Sequence, residues 1–230
     1  MSERTALVTG GTGALGMAVV DELLGHGWTV VVTWIAPEER ARVEEREGLA
    51  LVQANLLEED GAQAAATAAS AQGAPLGAVV NLVGGYAAGP KVHESRPEDF
   101  ERQYSLNVWP TFLVTRAALP LLIEAGGGSI VCVSARAAVQ PFAGAAGYIS
   151  SKAAVLAFAQ AVAVEYRDQG VRCNAIMPSV IDTPANRESQ PDADPSKWVP
   201  PEEIARVIRF LCSSDSAPIS GAWVPVYGKS

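Results

Sequence analysis

A short apolar run at residues 4–9 passes directly into Thr9-Gly10-Gly11-Thr12-Gly13-Ala14-Leu15-Gly16, which opens into a periodic helical segment at 17–24. Strand, glycine turn and helix in that order constrain this chain more than any other feature. Glycine admits positive φ and lets backbone approach a ligand closely, while the first free N–H groups of the helix face an anion with the dipole behind them. The spacing Gly11-x-Gly13-x-x-Gly16 fits the dinucleotide fingerprint in the context it requires.

β-Branched runs recur at 29–34, 49–53, 78–82, 129–134, 171–177 and 222–227, with helical stretches between most of them. The alternation predicts an α/β fold: one doubly wound Rossmann domain over residues 1–230, with a parallel seven-stranded sheet and helices on both faces. Ser95-Arg96-Pro97-Glu98 reads as a capping box starting a long helix towards Glu124, which Pro110 and Pro120 must kink or crowd. The alanine-rich stretch 62–71 reads as a surface helix. Residues 184–201, with Pro191, Pro195, Pro200, Pro201 and one Trp, read as a structured loop over a ligand site.

Composition narrows the partners. A net charge of −8 argues against nucleic acid or an anionic membrane, both of which reward clustered Lys and Arg. Cys132, Cys173 and Cys212 are odd in number and lack CxxC spacing, so no disulfide framework or metal site is suggested. Buried thiols in a reducing compartment, an N-terminus without a cleavable signal, and no apolar run of the ~18 residues a span needs lead to a cytoplasmic expectation.

In doubly wound sheets ligands bind outside the carboxyl ends of the strands. The residues expected there are the 9–16 turn, Trp34, Asn55, residues 81–86, Ser134, Ala135 and residues 178–183. The run Gly147-Tyr148-Ile149-Ser150-Ser151-Lys152 enters a helix from that same edge. Its i,i+4 spacing places phenol and ammonium on one face. The lysine there would favour the phenolate and make the tyrosine a usable proton donor and acceptor near neutral pH.

Five elements, the 9–16 turn, Asn81-Leu82-Val83-Gly84, Asn107, Tyr148-x-x-x-Lys152 and Pro178-Ser179-Val180-Ile181-Asp182-Thr183, together resemble the short-chain dehydrogenase/reductase family across essentially the whole chain. The resemblance implies an NAD(P)H-dependent oxidoreductase of a small-molecule substrate. It implies Tyr148 as proton donor, Lys152 as the group that lowers its pKa and holds the nicotinamide ribose, and Asn107 as support for a proton-relay water. Gly10, Thr12, Gly13, Ala14, Leu15, Gly16, Trp34, Asn55, Leu56, Val83, Gly84, Gly85, Pro178, Val180, Ile181 and Thr183 would line the dinucleotide together with Tyr148 and Lys152. Thr183 and Ile181 would anchor the carboxamide, and Asn55 would sit beside the adenine.

One departure stands out. The family's substrate-polarising serine lies thirteen residues before the tyrosine, and that place is Ala135. Ser134, one place early, is a candidate catalytic group, although neighbouring strand side chains point to opposite faces. The segments 84–89, 135–138 and 182–200 resemble those of quinonoid dihydropteridine reductases, which also carry alanine at the serine position. Hydride delivery to such a conjugated, nitrogen-rich ring needs less carbonyl polarisation. Tyr86 would then stack on a flat substrate, with Ala135 and Trp198 also on the substrate side.

Cofactor choice stays open between NADH and NADPH. Trp34 stands where an acidic residue would bond the ribose 2′-OH, Ile35 and Ala36 follow it without an arginine, and Arg40 and Arg42 lie further along. Two other readings compete with the pterin-type reductase: a general carbonyl or ketone reductase using Ser134, and a non-catalytic dinucleotide-sensing binding protein. Helices apolar on more than one face, as in 153–158, point to a homodimer or homotetramer.

Overall fold

The structure is a computed structural model that describes residues 4–229. Seven strands, β1 (Thr5–Thr9), β2 (Thr29–Trp34), β3 (Leu49–Gln53), β4 (Leu76–Asn81), β5 (Gly128–Val133), β6 (Val171–Pro178) and β7 (Trp223–Val226), form one sheet in the order β3-β2-β1-β4-β5-β6-β7. Every pairing is parallel. The strands are continuous apolar runs because both faces are covered.

Alternation along the strands sends side chains to two separate cores. Leu7, Val79, Ile130 and Cys173 meet α3 (Glu59–Ser70), α5 (Trp109–Glu124) and α6 (Ala146–Glu165) on one face. Ala6, Val80, Val131 and Ile176 meet α1 (Ala14–Leu24) and α8 (Pro201–Cys212) on the other. The helix α3 is less superficial than its composition suggests: Ala62, Ala65, Ala66 and Ala69 are all buried, small enough for a close approach to α5.

The chain winds outward from β1 through β2 to β3, then crosses to β4 and winds the other way. The reversal leaves a crevice between the carboxyl ends of β1 and β4, the ligand position in such sheets. Thr9 ties its two walls together. Its hydroxyl donates to the Val80 carbonyl at 3.4 Å and accepts from the Leu82 N–H at 3.1 Å.

Three expectations need correction. The Ser95 capping box does not form: Arg96 is the N-cap of α4 (Pro97–Asn107), and the Ser95 hydroxyl instead donates back to the Pro90 and Lys91 carbonyls. The long helix is two, α4 and α5, parted at Val108, and Pro110 falls in the first turn of α5, where its missing N–H is harmless. Finally, the continuous stretch Pro97–Glu124, taken through its break at Val108, and α6 reach the length and hydropathy of a membrane span by composition. Scattered polar residues hide this in the sequence, and a helix buried on a sheet shares the composition; α5 buries Leu113, Val114, Ala118 and Leu122, and α6 buries Val155, Leu156, Ala159 and Val162.

Candidate active site

The glycine turn is shaped by close contacts. Gly10 has φ +64°, Gly11 lies against Val32 of β2, and a Cβ on Gly16 would collide with the Gly10 carbonyl. These glycines let α1 start hard against β1, whereas a Cβ on Gly13 would have only the Gly10 oxygen near it, at 3.5 Å. No side chain caps α1, which leaves its first-turn N–H groups for a ligand or water. The donor set and the open approach at Gly13 fit a pyrophosphate.

Across the crevice, side chains fix one another. Lys152 is buried, and its Nζ donates to the Val133 carbonyl at 3.0 Å. Asn107, 1% exposed, accepts from the Gly85 N–H at 3.0 Å and donates to the Gly85 carbonyl at 3.0 Å and to Ser151 Oγ at 3.1 Å. The Ser151 hydroxyl donates in turn to the Tyr148 carbonyl at 2.8 Å. A Cβ on Gly84 would stand 2.6 Å from Asn107 Oδ1 and 3.0 Å from Lys152 Nζ, so only glycine lets the β4 loop reach both groups. Gly84, Gly85, Asn107, Tyr148 and Lys152 are thus brought together.

The electrostatics differ from the sequence expectation. Burial, with Tyr86 adding to it, pushes the Tyr148 phenol up to about 12, and burial pushes the Lys152 ammonium down to about 8. The ammonium is turned to the Val133 carbonyl and desolvation dominates both groups, so in the free protein the lysine does not bring the phenol near neutrality. Tyr148 is a protonated donor across the physiological range.

Ser134 also needs correction. Its hydroxyl is 2% exposed and donates to the Lys152 carbonyl at 2.7 Å. Its proton is thus directed to α6 and not towards a substrate oxygen in this structure. Ala135 next to it is buried and carries no polar atom.

A cavity of about 570 Å³ opens beside Tyr148, walled by Tyr86, Phe100, Gln103 and Leu106. Tyr86, 63% exposed, meets the Tyr148 ring edge-on at 5.0 Å. Of the three substrate-side residues expected from sequence, Tyr86 lines this cavity; Ala135 and Trp198 do not. Trp198 is 8% exposed, because the following residue Val199 pairs with Val180, Ile181 and Asp182 and draws the segment inward. That pairing fixes residues 178–183, and Thr183 caps α7 (Pro184–Ser189) by accepting from the Asn186 N–H at 3.2 Å. Asp182 and Arg187 form an ion pair at 2.6 Å, so the proline-rich stretch is partly helical and tethered.

At the other end, Trp34 closes β2, Asn55 is exposed and accepts from the Leu57 N–H at 3.2 Å, and Leu56 is buried. Pro178, Val180, Val83 and Leu15 lie on the same sheet edge, near the glycine turn or the β6 end.

Sequence reasoning passed over Ser151, Gln103 and Glu39. Ser151 lies inside the Tyr-x-x-x-Lys run, and Gln103 is one helical turn before Asn107, so i,i+4 spacing was available for it. Gln103 is 5% exposed and its Oε1 has no partner. Glu39 sits at capping-box spacing from Ala36.

Comparison with known proteins agrees with this architecture. The family model described as short chain dehydrogenase matches residues 4–194. The chain is 31% identical over 237 residues to 2-(R)-hydroxypropyl-CoM dehydrogenase of Xanthobacter autotrophicus, covering 95% of each chain. It superposes with a TM-score of 0.93 on a short-chain type dehydrogenase/reductase from Mycobacterium ulcerans, at 27% identity over all of this chain and 90% of the other. ElxO with NADP bound superposes with a TM-score of 0.91 at 23% identity, over 98% of both chains, and shows the shared fold. The chain belongs to the short-chain dehydrogenase/reductase family of NAD(P)-dependent oxidoreductases.

Proposed function

We propose that this oxidoreductase reduces a conjugated C=N bond or quinonoid ring, in the manner of a dihydropteridine reductase, with Tyr148 as the one side-chain proton donor at the reacting atom. The observation that carries this reading is the missing second donor: Ala135 occupies the serine position and the Ser134 proton is held by the Lys152 carbonyl. A ketone oxygen needs donors aimed at its developing charge, whereas a conjugated imine spreads that charge over its own ring. The nicotinamide, when bound, supplies the hydride to carbon; Tyr148 gives its proton to nitrogen or oxygen. Lys152, charged below about pH 8, stabilises the phenolate so formed. Asn107 holds the Gly85 loop against α6, and Tyr86 offers an aromatic face for a flat ring.

The test is kcat/KM for quinonoid dihydropterin, cyclic imines, quinones and ketones with both nucleotides. The conjugated substrates should lead the ketones by ~10²-fold or more, the loss typical of removing one donor from developing charge. Ketones in the lead would favour a second reading, a carbonyl reductase or alcohol dehydrogenase. The name of the Xanthobacter relative, a dehydrogenase of a 2-hydroxypropyl group, is what favours that alternative.

We also infer that residues 1–230 act as one catalytic unit, cytoplasmic in keeping with three free buried cysteines, and that it works as a homodimer or homotetramer. Trp109 and Val164, 46% and 67% exposed on α5 and α6, are the kind of apolar surface a second copy would cover.

A further inference from the structure

We propose that Glu39 makes this chain selective for NADH over NADPH, supplying from α2 (Pro37–Arg40) the carboxylate that β2 lacks at its end; the inference rests on the dinucleotide reading of the sheet edge. In this fold the adenosine ribose lies at the carboxyl end of the second strand, where a carboxylate bonds the 2′-OH or a cation meets the 2′-phosphate. β2 ends in Trp34, whose indole carries no charge. The next two backbone N–H groups, those of Ile35 and Ala36, both donate to Glu39 Oε2, at 2.8 and 3.4 Å. A 2′-phosphate would therefore find the local backbone donors already given to an anion, and that anion would repel it. A 2′-hydroxyl meets the opposite situation. A carboxylate offers about four acceptor sites over its two oxygens, enough to keep both amides and accept from a ribose hydroxyl as well.

The surroundings reinforce the sign. Residues 38–47 hold five carboxylates, Glu38, Glu39, Glu44, Glu45 and Glu47, against the guanidiniums of Arg40, Arg42 and Arg46. Arg40 is paired with Glu45 at 2.6 Å and donates to the Val43 carbonyl at 3.1 Å, and Arg46 is paired with Asp21 at 2.6 Å. Arg42 has no ion-pair partner among the described residues and is the cation of this segment freest to answer a 2′-phosphate, so the experiment includes it.

The dissociation constants of NADH and NADPH are measured by nicotinamide fluorescence on the purified protein, at low and high salt. NADH should bind at least ~10-fold tighter, with the gap narrowing as salt screens the repulsion. Glu39→Gln keeps an oxygen for the two amides but drops the charge. It should tighten NADPH by about 10-fold, leave NADH within about threefold, and keep the thermal midpoint of the wild type. Arg42→Ala should leave the ratio unchanged. NADPH binding as tightly as NADH in the wild type, a ratio unmoved in Glu39→Gln, or a selective loss of NADPH in Arg42→Ala would each overturn the proposal. NADH bound with an unmoved ratio overturns the role of Glu39 alone, whereas failure of both nucleotides to bind overturns the dinucleotide reading with it.

Discussion

Where β4 and β5 end, side chains hold one another: Asn107 clamps the Gly85 loop to α6, Lys152 reaches back to Val133, and Ser134 grips the Lys152 carbonyl. Where β2 ends, the structure is exposed and rests on one carboxylate bonded to two backbone amides. The first region is buried and interlocked, so removing a group there disturbs its neighbours as well as the chemistry. The second is solvated, and a substitution there changes local charge with little structural consequence. Position is therefore fixed at the reacting end, and selectivity is adjustable at the adenosine end.

The largest expected effect tests whether chemistry and nucleotide binding are separable across the edge. Tyr148→Phe should lower kcat by ~10²–10⁴-fold, the usual contribution of a general acid. Nucleotide affinity, resting mainly on the glycine turn, should stay within a few-fold. Near-normal turnover with any accepted substrate would remove Tyr148 from the mechanism and leave the interlocked region a scaffold only.

Lys152 sharpens the comparison, because it is stabilised poorly where it sits. Its pKa falls from the ordinary 10.5 to about 8 on burial, so below pH 8 the lysine is charged in both folded and unfolded chains and the folded state bears the desolvation penalty. Between pH 8 and 10.5 the unfolded chain keeps a proton that the folded one has released, and wild-type stability rises with pH through that window. Lys152→Met should then be more stable than wild type at pH 7 without nucleotide, on the order of 2 kcal/mol after loss of the Val133 bond, with the advantage shrinking towards pH 10.5. Turnover should fall by about 10²-fold. In the wild type, kcat/KM for reduction should decline as pH rises through about 8, as the free protein loses the Lys152 proton. A melting curve and a pH–rate profile read these out independently.

The same contrast explains what could be read from the chain. Strands β2 and β3 were expected with the bounds they have, since β-branched runs between turns state their own limits. Tyr148 with Lys152, and the glycine turn, could be placed on the one sheet edge because each is a fixed spacing within one element, while Asn107 was placed by the family resemblance. What escaped depends on contacts between elements. The Ser134 hydroxyl reads as a free donor until α6 is seen above it. Trp198 reads as a substrate-side residue of a loop until Val199 pairs with the β6 end. Ser95 has the right spacing for a cap, but the helix starts one residue later, with Arg96 as its N-cap, and the Ser95 hydroxyl donates to the Pro90 and Lys91 carbonyls.

Asn107→Ala probes how far the interlocking extends. It strips the half-buried Gly85 N–H and carbonyl of their partner, at about 1–3 kcal/mol for each group left unsatisfied, while the Ser151 hydroxyl keeps the Tyr148 carbonyl. Thermal unfolding should register that loss, and the loosened Gly84–Gly85 backbone should weaken nucleotide binding, unlike Tyr148→Phe. Unchanged stability would mean that water replaces the amide and that the clamp is dispensable.

The smallest effect carries the finest distinction. Ser134→Ala removes one buried hydroxyl whose acceptor, the Lys152 carbonyl, sits early in α6, where a helical backbone bond also serves it. Stability should fall by about 1 kcal/mol, the net value of a typical hydrogen bond, and kcat should stay within about threefold. Ala135→Ser should leave reduction of conjugated substrates little changed and raise any weak ketone activity, since it returns a donor to the place thirteen residues before Tyr148. A fall of ~10²-fold or more in kcat for Ser134→Ala, at unaltered stability, is the signature of a lost donor at developing charge. That result would mean the hydroxyl turns from Lys152 to the substrate during turnover, and the carbonyl reductase would replace the pterin-type reading.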